Sequence, residues 1–259
     1  MRRYIALILI LVLSTGQAFA LTDKWHLLKS RHFILYYKSG QEYGFLGQVI
    51  KEAEKHYDQI ADNLGFRRFD FWLGDDRAKI YIYRDAAEYR EATGQPEWSA
   101  GCADVRSKII HTYYHAKGFF DTLLPHEMGH IIFREFVGFD NRAVPIWLDE
   151  GVASYQGRSG RGVYSMIIEK AVKEGAFLDI KALAELDPHC AGQSGSVDLF
   201  YAEAASIVDF MISKFGKEKF VYFCQNLRDN PDLERALSSA YGFRDAEELG
   251  EAWQEYLGI

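Results

Sequence analysis

The sequence predicts an α+β protein, with a small N-terminal sheet and its helices followed by a mostly helical C-terminal part. Three observations carry that expectation. Short runs rich in β-branched and aromatic residues alternate with helical periods, but only over the first 120 residues or so. Beyond them the apolar residues keep a helical spacing almost to the end. The composition is globular: 48% of residues are hydrophobic and 15% aromatic, and 22 Gly with 5 Pro in 259 residues exclude a collagen-like or low-complexity chain.

The first element is not part of the fold. Arg2 and Arg3 give a positive start, Ile5 to Leu13 are all apolar, and Ala18-Phe19-Ala20 is a small-residue cleavage pattern. Residues 1–20 therefore read as a secretory signal peptide cut before Leu21. The apolar run is less than half of the ~20 residues that span a bilayer. No later run approaches that length, so no stable membrane span is expected after cleavage, and the expected location is secreted or periplasmic. That space is oxidising. Of the three cysteines, Cys102 and Cys190 lie in loop-like sequence and one possible bridge joins them, while Cys224 lies in an apolar stretch and reads as a small buried residue.

Residues 21–120 form the expected α/β subdomain. A strand over 32–37 is stopped by Ser39-Gly40, and a helix over 45–64 is ended by Gly65. A second strand covers 78–83, Asp85 caps a short helix to about residue 92, and a third strand covers 107–114 after a Gly-containing loop at 99–105. Residues 121–259 hold two helices around a loop, then helices over 164–173, 180–185, 199–215, 217–226, 232–240 and 245–256, with Gly216 and Gly242 as stops.

The formal net charge is −7 at a pI of about 5.6. The leader holds two arginines and no acid, so the rest of the chain is more acidic still. No basic stripe is visible, and no nucleic-acid partner is expected.

The chemistry is concentrated in His126-Glu127-Met128-Gly129-His130. Asp121 or Thr122 can cap a helix there, Pro125 falls in its first turn, and Gly138 ends it. Residues four apart share a helix face, so His126 and His130 can aim two imidazoles at one metal ion. Glu127 is rotated by about 100° and can reach the attacking water instead. The neighbours Leu123, Leu124, Ile131, Ile132 and Phe136 are apolar, so these polar groups are not a solvated face and need partners. Zinc is the default metal for this spacing, and it needs a third protein ligand. Downstream, Pro145-Ile146-Trp147-Leu148-Asp149-Glu150-Gly151 begins a return helix that can pack beside the first. Glu150 is the preferred third ligand because its longer arm spans the gap between helices. Asp149 is the rival, or else it orients a ligating His.

With Leu-Pro-His-Glu-x-x-His at 124–130 and Pro-x-Trp-Leu-x-Glu-Gly-x-Ala-x-Tyr at 145–155, the chain resembles the gluzincin zinc metallopeptidases of peptidase MA-like type. The resemblance implies a zincin-like fold: a small twisted sheet whose edge strand borders the cleft, an active-site helix, and a helical lower part. It implies Zn2+ on His126, His130 and Glu150, Glu127 as general base, and a peptide or protein substrate. Related aminopeptidases carry Asn where this chain has Asp149, and their Gly-Ala-Met-Glu-Asn motif is absent, so aminopeptidase specificity is not implied. A donor for the tetrahedral oxyanion is also needed. Tyr201, near the start of the 199–215 helix, is the candidate, and Tyr155 the weaker one. Three functions fit these residues: an exported zinc-dependent metallopeptidase, a non-catalytic zincin-fold binding protein with a structural metal, and a metal-dependent hydrolase of a non-peptide bond.

Overall fold

The computed structural model describes residues 24–67, 71–157, 160–188 and 195–259. The leader at 1–20, and Cys190 with the bridge suggested for it, lie outside the described residues.

The fold is α+β, as the sequence indicates: a five-stranded mixed sheet precedes a predominantly helical half. In chain order the strands are β1 (His26–Lys29), β2 (Phe33–Tyr37), β3 (Ala78–Tyr83), β4 (Gly101–Asp104) and β5 (Ile109–Tyr113). Across the sheet they run β1-β2-β3-β5-β4. β2, β3 and β5 are parallel, and each outer strand is antiparallel to its neighbour. Strand alternation sends Phe33, Leu35, Ile80, Ile82 and Ile110 to one face, where all five are buried. Helix α1 (Tyr43–Leu64) covers that face with Leu46, Val49, Ala53, Tyr57 and Ile60, its own inward stripe. The short helix α2 (Ala86–Thr93) is capped as expected: the Asp85 carboxylate accepts from the Ala87 and Glu88 amides, both at 2.9 Å.

Two strands depart from expectation. β1 was not expected because all four of its residues are exposed, so it carries no alternation. β4 occupies the expected loop at 99–105. Gly-Cys-Ala-Asp has little strand propensity, and the segment is extended because it pairs with β5.

The site lies where the sheet meets the helical half. A π-helical turn, Phe119–Leu123, leads into α3 (Leu124–Val137). Neither Asp121 nor Thr122 caps α3. The Gly118 carbonyl accepts from the Thr122 and Leu123 amides, and the Phe119 carbonyl from the Leu124 amide, so the π turn itself satisfies the donors a cap would serve. Helix α4 (Ile146–Tyr155) returns alongside α3. The loop between them is fixed by buried Asn141, whose side-chain amide donates to the carbonyls of Val137 (2.9 Å) and Leu227 (2.8 Å). Then follow α5 (Gly160–Glu174), α6 (Ile180–Glu185), α7 (Gly195–Phe215), α8 (Lys217–Asp229), α9 (Leu233–Tyr241) and α10 (Ala246–Leu257). α7 is the central helix of this half and packs along α4 and α5.

Two glycines set how close α4 lies to its neighbours. A Cβ at Gly129 of α3 would sit 2.9 Å from Ala153 Cα of α4. One at Gly151 of α4 would sit 2.5 Å from the Ala204 carbonyl oxygen of α7. The α3–α4–α7 stack is therefore backbone against backbone at the level of the site.

Candidate metal centre

Helix geometry puts His126 and His130 one turn apart on the face of α3 that meets α4, and Glu150 reaches across from α4. The two imidazole Nε2 atoms are 3.1 Å apart, and Glu150 Oε2 is 3.4 Å from each. A tetrahedral ion with bonds of about 2.0–2.1 Å holds its donors about 3.3 Å from one another. The three side chains already stand at that spacing, so the donor set and its geometry both fit zinc. Among the described residues they form the one group of three or more such side chains arranged to hold a metal. Without a metal, a proton on the His130 imidazole takes its place beside the buried Glu150 carboxylate.

Asp149, the rival ligand, points elsewhere. Its Oδ1 lies 3.1 Å from His130 Nδ1, and Arg134 Nε donates to its Oδ2 at 2.7 Å. A proton on His130 Nδ1 leaves the Nε2 lone pair facing Glu150 and His126. Burial works against the Asp149 charge, but His130 and Arg134 outweigh it and hold this carboxyl below its ordinary range. Burial likewise opposes a charged His130, yet Glu150 and Asp149 raise that imidazole well above its usual value. A metal must therefore displace a proton there. His126 is held more loosely: its Nδ1 lies 3.5 Å from the Ser154 hydroxyl, one turn beyond Glu150.

Glu127 is half-buried. Its charge acts on Tyr89, on Cys102 of the edge strand β4 and on Tyr201. Burial, with Glu127 nearby, pushes the Cys102 thiol up and keeps it neutral. Gly101 packs on Leu123, so β4 lies directly over the start of α3. The Tyr201 ring lies 6.1 Å from that of His126 and nearly perpendicular to it. Burial first, then the carboxylates of Glu150 and Glu127, raise its phenol far above the ordinary value, so it keeps its proton. Tyr155 packs into the core beside α4.

Sequence reasoning did not single out Arg134, Ser154 or the two close-packing glycines. A signal existed for the first two. Arg134 follows His130 by four residues and Ser154 follows Glu150 by four, so each shares the face of a candidate ligand. His111 and His115, also four apart, do not share a strand face: His111 stacks on Tyr81 and Tyr83 of the sheet, while His115 lies beyond β5 with a φ of 59°.

No curated protein is significantly similar to the chain. A family model does match, over residues 75–258, which is well over half of the chain and includes α3, α4 and the whole helical half. With that match and a His-His-Glu cluster at metal-binding spacing, the chain belongs to the peptidase MA superfamily.

Proposed function

We propose that this protein is an exported zinc-dependent peptidase in which His126, His130 and Glu150 hold the metal and Glu127 is the general base. The observation that carries the reading is the triangle of donor atoms, 3.1, 3.4 and 3.4 Å on its sides, with Glu127 of α3 left outside it. Zinc bound there supplies Lewis-acid polarisation of the substrate carbonyl and makes a water acidic enough to react near neutral pH.

The chain's own groups do the rest. Glu127 accepts the proton of the attacking water and passes it to the leaving amine. Tyr201 keeps its phenolic proton and donates it as a hydrogen bond to the developing oxyanion. Asp149, clamped by Arg134, holds the His130 tautomer that leaves Nε2 free to bind metal. β4 is the terminal strand of the sheet and packs on the start of α3, which suits an extended peptide added in strand fashion. Export rests on the leader read at residues 1–20.

The test is metal analysis together with a broad peptide library. The wild type is expected to hold one zinc and to cleave. Glu127→Gln is expected to keep the zinc and lose about 10²–10⁴ in kcat. Equal cleavage by both would overturn the assignment of the base. A tightly held zinc with no turnover on peptides, and unfolding on chelation, would turn the reading into that of a structural metal.

A further inference from the structure

The described residues line a second, half-open space that the proposed reaction does not use. A cavity of about 390 Å³ lies where α4, α5, α7 and the end of α10 meet. Protein interiors are packed so that voids larger than a water molecule are few, whereas sites for small molecules measure about 300–1,000 Å³. This space is therefore not a packing defect. Its walls are mostly apolar, with Tyr155 of α4, Ile168 and Val172 of α5, Ala205 of α7 and Leu257 of α10, and Ser206 and Asp209 of α7 add polar groups. The charged lining residues of α5, Glu169 and Lys173, are exposed and stand at the mouth.

Shape narrows the ligand. α5 lines the cavity from Tyr164 to Lys173, nine residues along, which is about 13 Å of helix. A mostly apolar space of that length suits one extended chain. The Ser154 and Tyr164 hydroxyls both line this space, and Ser154 acts on the Tyr164 phenol. Ser154 also faces His126 Nδ1, so the floor of the cavity lies one side chain from the metal centre. On α7, Ala205 lies one turn below Tyr201, on the same face.

We propose that this cavity binds a single aliphatic chain of an amphiphile, its polar head at the Glu169–Lys173 mouth. Mostly apolar pockets of this volume, with a few polar groups, are the usual form of small-molecule sites. The chain has two conceivable sources: a free amphiphile, or an alkyl or acyl group carried by the substrate itself.

The test uses the full chain, metal-free and zinc-loaded, titrated with 11-(dansylamino)undecanoic acid. Saturable binding of one probe per chain is expected in both forms, displaced by decanol and by decanoate. Ala205→Phe places a ring in the cavity and is expected to weaken the probe at least tenfold, with the far-UV circular dichroism and the zinc content unchanged. A photoreactive diazirine analogue of decanoate, used on the wild type, is expected to label α5 and α7 residues of the wall. Unsaturable binding, a folded Ala205→Phe that binds as well as wild type, or labelling confined to other surfaces would each overturn the proposal. The source is read in the zinc-loaded protein. Decanoyl hydroxamate binding far tighter than acetohydroxamate, with the gain lost in Ala205→Phe, assigns the chain to the substrate. Probe and acetohydroxamate binding side by side, with no such gain, assigns it to a free amphiphile. None of these readouts needs turnover, so the cavity and the peptidase reading succeed or fail separately.

Discussion

Gly129→Ala tests whether the close approach of α3 and α4 is what builds the metal centre. The new Cβ would lie 2.9 Å from Ala153 Cα and 3.2 Å from Gln156 Cγ. Ordinary carbon contacts are about 3.5–4.0 Å. The Gln156 side chain can turn aside, but the Ala153 backbone cannot, so the helices must part by about 0.8 Å at this level. Metal–ligand distances tolerate only about ±0.2 Å. Glu150 rides on α4, so its carboxylate leaves the bonding distance set by the two imidazoles of α3. The stability terms oppose one another. Alanine is favoured over glycine inside a helix by about 1 kcal/mol, and overpacking costs about 1–3 kcal/mol. The expected net loss is about 0–2 kcal/mol, a fall of a few degrees in the melting temperature of the metal-free protein. Zinc affinity, read by competition with a chromogenic chelator, is expected to fall at least tenfold. A folded Gly129→Ala that binds zinc within a factor of two of wild type would refute the argument that this contact positions Glu150.

Other perturbations separate the remaining roles. Asp149→Asn removes the charge that holds His130 and pairs with Arg134, and is expected to weaken zinc about 10–100-fold in the same competition assay; an unchanged affinity would leave Asp149 no part in orienting the ligand. Tyr201→Phe is expected to keep zinc and KM while kcat on a cleaved peptide falls about 10²–10³-fold, and a kcat within threefold of wild type would remove Tyr201 from the reaction. Glu203 of α7 is fully buried, accepts from the Leu178 amide at 3.1 Å, and burial pushes its carboxyl up to about 8. Its native value lies above its unfolded one, so the folded chain holds an extra proton between about pH 4.5 and 8. This group's contribution is fully present below that window and is lost as pH rises through it. Relative to Glu203→Gln, wild-type stability is thus expected to decline by a few kcal/mol across the window. Denaturant melts at pH 5 and pH 8 measure the difference, and parallel stability curves would contradict it.

The sequence made the active-site helices legible because punctuation and periodicity agree there. Pro125 opens α3, Gly138 closes it, Pro145 precedes α4, and the two imidazoles fall four apart. β3 was legible over its full length because its alternation is strong and it sits at the centre of the sheet. What escaped reading is what long-range pairing imposes. β1 and β4 are strands through their neighbours, not through their residues. The π turn at Phe119–Leu123 replaces a cap that Asp121 and Thr122 offered, because backbone carbonyls of the turn reach the same amides first. Gly129 and Gly151 read as ordinary helix weakeners until the backbones opposite them are known. Asp149 and Glu150 could be ranked as ligands by arm length, but only the position of Arg134 explains where Asp149 points.

Zinc K-edge absorption and anomalous diffraction on the zinc-loaded protein test the central claim most directly. The expected result is one zinc with two imidazole nitrogens and one carboxylate oxygen at about 2.0–2.1 Å, the anomalous peak lying between His126, His130 and Glu150. Zinc bound elsewhere, or bound by Asp149 with Glu150 turned away, would contradict the account.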